Sequence, residues 1–232
     1  MYHKGMEKIE IAIEAIGELE LTGWGIAPVS QAVHGEATQF RAAATMYVAY
    51  ALPAEDDSLA GGAYSESALH EAIIGARDAG DPEVEKLCAR LDESDISHWS
   101  VPAGQDATTL IGGFPQKRSA VEAGLGWIGK CSLFISPGHG PRVRLYTVLM
   151  DVEPPVPTAA ACGSCGDCTA CIDACPYGYL TGETWSPGSR REDLIDAFSC
   201  SRMMEKLGET IGRKSSCGRC LLACPLGSSR RT

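Results

Sequence analysis

The sequence predicts an α+β protein in which a front domain of mixed helices and strands is followed by a two-cluster, bacterial ferredoxin-like domain. Two observations carry this. Helical and strand-like hydrophobic periodicities alternate over roughly the first 150 residues, and nine of the eleven cysteines crowd the last third of the 232-residue chain. Between the two lies Glu153-Pro-Pro-Val-Pro-Thr-Ala-Ala-Ala161, too proline-rich for a helix or a central strand. The expected organisation is therefore a front domain over 1–152, a linker over 153–161 and a cysteine domain over 162–232.

In the front domain, Ile9, Ile13, Ile16 and Leu19 recur at helical spacing with glutamates on the opposite face. Gly23-Trp24-Gly25 ends that helix, and Ile26-Ala27-Pro28-Val29 begins an extended piece. Thr45 to Leu52 reads as a buried strand stopped by Pro53. Ser67 to Ala79 and Pro82 to Leu91 read as two helices, the second with Pro82 in its first turn after Asp81 and Cys88 on its core face. Pro115 to Ala123 is a short helix. Cys131 to Ser136 and Val143 to Val152 are strands joined by the turn Pro137-Gly-His-Gly-Pro141.

The cysteine domain carries the chemistry. Cys165-x2-Cys168-x2-Cys171-x3-Cys175-Pro176 has the spacing of the bacterial ferredoxin run, in which three thiolates hold one [4Fe–4S] cube and the fourth holds its neighbour. The second half reads Cys217-x2-Cys220-x3-Cys224-Pro225, with Cys200 standing 17 residues ahead of Cys217. Exchanging the last cysteine of each run completes two sets of four. Cys165, Cys168, Cys171 and Cys224 form one set; Cys175, Cys200, Cys217 and Cys220 form the other.

Two-residue gaps let a tight loop aim successive sulfurs at corners of one cube. Each x3-Cys-Pro is expected to open a short helical segment that carries its sulfur toward the other cube. Gly163, Ser164, Gly166 and Gly218 let backbone N–H groups approach the cluster. The rival is a pair of four-thiolate zinc sites, but zinc more often shows two separate C-x2-C knuckles. Cys162 permits a frame shifted by one step, using Cys162, Cys165 and Cys168. That frame loses the x3-Cys-Pro closure, so Cys162 reads as a spare.

Gly124-Leu-Gly126-Trp-Ile-Gly129-Lys130 matches G-x-G-x-x-G and G-x4-G-K on paper. Both phosphate-binding motifs need a strand before the glycines and a helix after them. Here a helical stretch precedes and Cys131 stands where the P-loop places Ser or Thr, so nucleotide binding is not expected. Two readings of the segment stay open. It is a compact turn with Trp127 in the core and Lys130 in solvent, or its backbone approaches a bulky flat cofactor, with Trp127 packing on it and Lys130 at its polar rim. Cys131 and His139 are candidates to reach that cofactor, while His34, His70 and His98 have no companion at metal-ligand spacing.

Charge and composition exclude other classes. The longest nearly apolar run, Ala42 to Ala54, is about 13 residues, too short to span a bilayer. No leader pattern opens the sequence, so a cytoplasmic protein is expected. The net charge is −10, with −9 carried by residues 1–150, which disfavours grip on a polyphosphate. After Glu209 only basic charges follow, from Arg213 to Arg231, either as a solvated tail or as a docking patch for an acidic redox partner.

Ala123-Gly-Leu-Gly-Trp-Ile-Gly-Lys130, Leu133 to Ser136, Gly140-Pro-Arg142-Val-Arg144-Leu with its strand to Asp151, and the two cysteine runs with Cys200 between them together resemble epoxyqueuosine reductase. Pro102 to Gln105 and Phe114 to Arg118 belong to the same resemblance, which covers residues 100–232 well and 1–100 weakly. It implies a nitroreductase-like α/β front domain holding a base-off cobalamin, attached to the double-[4Fe–4S] domain, an arrangement shared with reductive dehalogenases. Gly126, Trp127, Gly129, Lys130 and Cys131 are then the candidate cofactor-binding residues. The implied partners are an electron-donor protein of ferredoxin or flavodoxin type and a small-molecule or corrinoid-protein substrate.

Two departures bear on the substrate. The family carries an Asp in an Asp-Thr-x-Pro stretch before the glycine segment, as a proton donor. Here Ile111-Gly-Gly-Phe-Pro115 has no acid and Asp106 is out of register, so no catalytic residue is assigned. The helical repeats that hold the anticodon arm in the tRNA-modifying enzymes have no counterpart within these residues, and with the acidic front domain nucleic acid is not an expected partner. The reading is an iron–sulfur oxidoreductase passing low-potential electrons through two clusters to a corrinoid-type cofactor. The alternatives are a cofactor-free electron carrier and an epoxyqueuosine reductase acting on tRNA.

Overall fold

The structure is a computed structural model that describes residues 2–29, 35–52, 66–155, 163–211 and 217–227. Two compact units divide the chain, and they are not the linear halves expected around residues 153–161. Residues 1–48, 77–126 and 144–162 form the first; residues 49–76, 127–143 and 163–232 form the second. Residues 127–143 join the cysteine unit because Cys131 and Ile135 are buried in one apolar cluster with Cys171 and Leu180.

The first unit is built on a four-stranded sheet of order β1-β2-β6-β3, from β1 (Gly23–Pro28), β2 (Ala42–Ala49), β3 (His98–Ser100) and β6 (Val143–Met150). β1 pairs antiparallel with β2, Gly23 opposite Tyr47, and β3 pairs antiparallel with β6, His98 opposite Met150. β2 and β6 are the central pair, and each alternates its side chains between two cores. Ala42, Ala44 and Met46 with Val148 and Met150 face a cluster shared with α1 (Tyr2–Gly17) and α2 (Glu66–Glu93). Ala43 and Leu149 face the other, with Phe40, Val101 and Phe114.

α1 buries Ala12, Ala15 and Ile16, with Ile9 and Leu19 beside them. Ile13, expected on this face, is 38% exposed. Ile9, Ala12 and Ile16 at i, i+3 and i+7 define the stripe, and Ile13 falls at its edge. The two helices expected on either side of Asp81 are one, with Pro82 inside α2. Proline's fixed φ is itself helical, and the missing hydrogen bond is offset by burial of Val84, Leu87 and Leu91 further along. β3 lies where no strand was expected; three residues are too few to show a period.

α3 (Gln116–Glu122) leads into the glycine segment and is tied to the sheet by buried hydroxyls. Ser119 Oγ lies 2.8 Å from Thr45 Oγ1, which is 3.3 Å from Thr147 Oγ1. The helix-turn-strand order read from the sequence is the one observed.

In the second unit, β4 (Trp127–Ile128) pairs antiparallel with β5 (Phe134–Ile135). Cys131, expected at the start of a strand, stands instead in the loop between them. Ser132 has φ +58°, and its N–H donates to the Gly129 carbonyl at 2.8 Å, closing a turn. The rest is short: α4 (Ala170–Asp173), α5 (Ala197–Ile211) and α6 (Arg219–Leu222). No helix among the described residues is long and apolar enough to cross a membrane.

Candidate metal centre

α4 carries Cys171 and α6 carries Cys220, so the one-turn helices precede each Cys-Pro instead of following it. The x3 spacing is one helical turn, and the residue before proline is steered out of the α region. Cys175 and Cys224 therefore leave the ends of their turns. Cys200 sits on α5, its N–H donating to the Asp196 carbonyl at 3.1 Å.

The structure brings the cysteines together across the runs. Cys224 lies within electrostatic reach of Cys165 and Cys171, and Cys200 within reach of Cys217 and Cys175. Cys220 is pushed up to about 12, by burial first and then by Cys200, Cys217 and Cys171. Burial likewise raises Cys200 and Cys224. Such buried thiols resist ionisation unless a cation takes the charge, which is what iron does. Cys168 is exposed, and its N–H donates to the Cys165 carbonyl at 3.0 Å. Among the described residues, no three Cys, His, Asp or Glu side chains converge on a point suited to a single metal ion. Zinc would need its thiolates gathered at about 2.3 Å from one centre, whereas a cube spreads them over four corners. Cys162 and Arg213 to Lys214 lie outside the described residues, as do His34 and the basic terminus. Cys88 is half-buried against the core of the first unit, as expected.

The five candidate cofactor residues sit as follows. Gly126 is buried at the turn after α3. Trp127 packs its ring against Gly163, where a Cβ would lie 2.2 Å from Cε3, and its indole N–H is buried without an acceptor among the described residues. A Cβ on Gly129 would stand 3.3 Å from Cys165 Sγ and 2.8 Å from Ile135 Cγ1. Lys130 is not free in solvent: its Nζ donates to the Gly166 carbonyl at 2.8 Å and to that of Cys168 at 3.4 Å. Cys131 is buried in one cluster with Cys171. Contact with Cys171 and burial both raise the Cys131 thiol, while contact with Cys131 lowers Cys171 against the effect of its own burial. His139 meets this unit through its backbone, its carbonyl accepting from the Arg142 N–H at 3.2 Å.

Sequence reading gave Arg142 no role. It is 7% exposed, and its guanidinium donates to the carbonyls of Leu226 at 3.0 Å and Leu222 at 3.4 Å, on either side of Cys224. Burial pulls its pKa down while Cys224 pulls it up. An arginine between a turn and the strand that follows it gives no sequence signal of burial.

A loop-built segment that gathers two interleaved cysteine runs is the scaffold of a double-cluster iron–sulfur protein. Residues 164–227 match the 4Fe-4S double cluster binding domain, and the protein carries two [4Fe–4S] clusters. In sequence the chain is epoxyqueuosine reductase-like. It is 34% identical over 116 residues to the epoxyqueuosine reductase of Listeria monocytogenes, covering 46% of this chain and 28% of that one. It is 43% identical over 149 residues to that of Synechococcus sp. (strain RCC307), covering 62% and 43%. The chain thus spans less than half the length of these curated relatives.

In fold it is similar to an epoxyqueuosine reductase solved with an epoxyqueuosine-modified tRNA stem loop. The TM-score is 0.57 at 17% identity, over 97% of this chain and 66% of that one. It is also similar to a reductive dehalogenase described for B12-dependent dehalogenation, with a TM-score of 0.65 at 17% identity over 94% and 32%. These likenesses show the α+β fold with its ferredoxin-like domain. The epoxyqueuosine reductase neighbour holds a tRNA stem loop, whereas the expectation against nucleic acid here rests on the acidic front domain and on the helical repeats without a counterpart within these residues.

Proposed function

We propose that this chain is an iron–sulfur reductase of the epoxyqueuosine reductase kind, with Cys165, Cys168, Cys171 and Cys224 holding one cluster and Cys175, Cys200, Cys217 and Cys220 the other. The observation that supports it is that Cys171 and Cys175 of the first run pack in one cluster with Cys220 and Cys224 of the second. Electrons enter singly from a ferredoxin- or flavodoxin-type donor and leave in pairs to the substrate. Reducing an epoxide to an alkene takes two electrons and two protons and releases water. The curated relatives' names favour an epoxyqueuosine-type nucleoside in tRNA as that substrate.

A corrinoid, when bound, supplies the low-potential metal centre such a reduction needs. Trp127 packs on Gly163, Lys130 binds the Gly166 and Cys168 carbonyls and Cys131 is buried with Cys171, so these side chains face the cysteine domain and do not fit a corrinoid wall.

One observation favours a second reading, reduction of a small molecule or a partner-bound cofactor. The stretch Ile111-Gly-Gly-Phe-Pro115 offers no carboxylate. The test is the anaerobically reconstituted chain with cobalamin, reduced flavodoxin and an epoxyqueuosine-containing tRNA stem loop. Loss of one oxygen from the nucleoside by mass spectrometry supports the tRNA reading. An unchanged nucleoside with both clusters reducible rejects it in favour of the second.

A further inference from the structure

Three consecutive residues of the glycine segment each meet one cysteine of the first run. Gly129 leaves room for Cys165 Sγ, 3.3 Å from where its Cβ would stand. Lys130 binds the carbonyls of Gly166 and Cys168. Cys131 is buried in one cluster with Cys171. The fourth member of that set, Cys224, has the buried guanidinium of Arg142 bound to the carbonyls two residues before and two residues after it. The set of Cys165, Cys168, Cys171 and Cys224 is therefore bracketed by two cations and one buried thiol, none of them among the proposed ligands.

From this bracket we infer that Lys130, Arg142 and Cys131 are positioning residues for the cluster on Cys165, Cys168, Cys171 and Cys224, and that they raise its reduction potential. The inference rests on the ligand sets proposed above. Each added electron makes a thiolate-bound cube more negative. A fixed ammonium and a fixed guanidinium in a partly buried setting favour that reduced form. A hydrogen bond to a ligand sulfur acts in the same direction by drawing charge off the thiolate. Arg142 suits the buried side, since its planar fork satisfies two carbonyls at once. Lys130 suits the more exposed side as a point charge.

The test is a redox titration followed by EPR on the whole, anaerobically reconstituted chain. Lys130→Met removes the charge and keeps the length. It should lower the midpoint of one cluster and leave the other in place, with iron content unchanged, and Lys130→Arg should restore the midpoint. Arg142→Gln should lower the same midpoint. Two unmoved midpoints in a variant retaining both clusters overturn the inference, as do Lys130 and Arg142 variants that move different clusters. Where Lys130→Met fails to hold iron, Cys131→Ala decides: a lowered midpoint of a single cluster supports the bracket, and no shift overturns it. A wild-type chain without two clusters would instead defeat the functional reading.

Discussion

Gly140 and Leu226 meet backbone to backbone: a Cβ on Gly140, whose φ is +57°, would stand 2.0 Å from the Leu226 carbonyl oxygen. That contact seats the turn of residues 137–141 against the chain two residues after Cys224. The same carbonyl accepts from Arg142. Position 140 thus needs glycine twice, for its left-handed backbone and for the space.

Gly140→Ala is expected to displace Cys224 and cost one cluster. Iron per chain should fall from about eight to about four, read by iron analysis on anaerobically purified protein. Full iron content would show that Cys224 does not depend on this turn.

Cys200→Ala removes a ligand proposed for the other set and should cost that cluster, leaving about four irons. Cys88→Ala and Cys162→Ala should leave both. Retention of all iron in Cys200→Ala would break the proposed crossing.

Removing iron with a chelator under reducing conditions should unfold residues 163–227, whose apolar cluster has Cys171, Cys175, Cys220 and Cys224 among its members. The sheet should survive, since its two cores contain no ligand cysteine. Amide hydrogen exchange checks this: protection should persist at residues 42–49 and 143–150 and vanish at 170–173 and 219–222.

Glu83 ties α2 to the chain just after α1, its carboxylate accepting from the Glu20 N–H at 2.9 Å and from Lys86 at 2.5 Å. The Lys86 hydrogen bond, then that of Glu20, holds the carboxyl below its ordinary value of 4.5. A lowered folded value means the stabilisation is complete above the unfolded value and is lost as pH falls through the folded one. Glu83→Gln should cost about 1–2 kcal/mol near neutrality. Its stability, measured by denaturant titration, should also respond less to acid between pH 5 and pH 3 than the wild type does.

Much of the centre was legible because thiolate chemistry leaves its spacing in the sequence. The two runs fall inside the matched double-cluster domain of residues 164–227, and the exchange of Cys175 with Cys224 is the pairing proposed from their spacing. The direction of the short helices was not legible, since x3 before Cys-Pro fits a turn on either side. The order of elements in the front domain was readable from periodicity. Pro82 misled because proline's helix-breaking cost was outweighed by the apolar stripe on both sides of it. Lys130 and Arg142 were illegible in their roles: each binds carbonyls far away in the chain, 36 residues away for Gly166 and 84 for Leu226. Nothing local to a lysine or an arginine records such a partner.

That eight cysteines hold two cubes is tested most directly by counting iron, zinc and cobalt per chain, on protein purified anaerobically after cobalamin has been offered. About eight irons and no zinc are expected, with a broad absorption near about 400 nm from sulfur-to-iron charge transfer. About two zinc ions and no iron would contradict it.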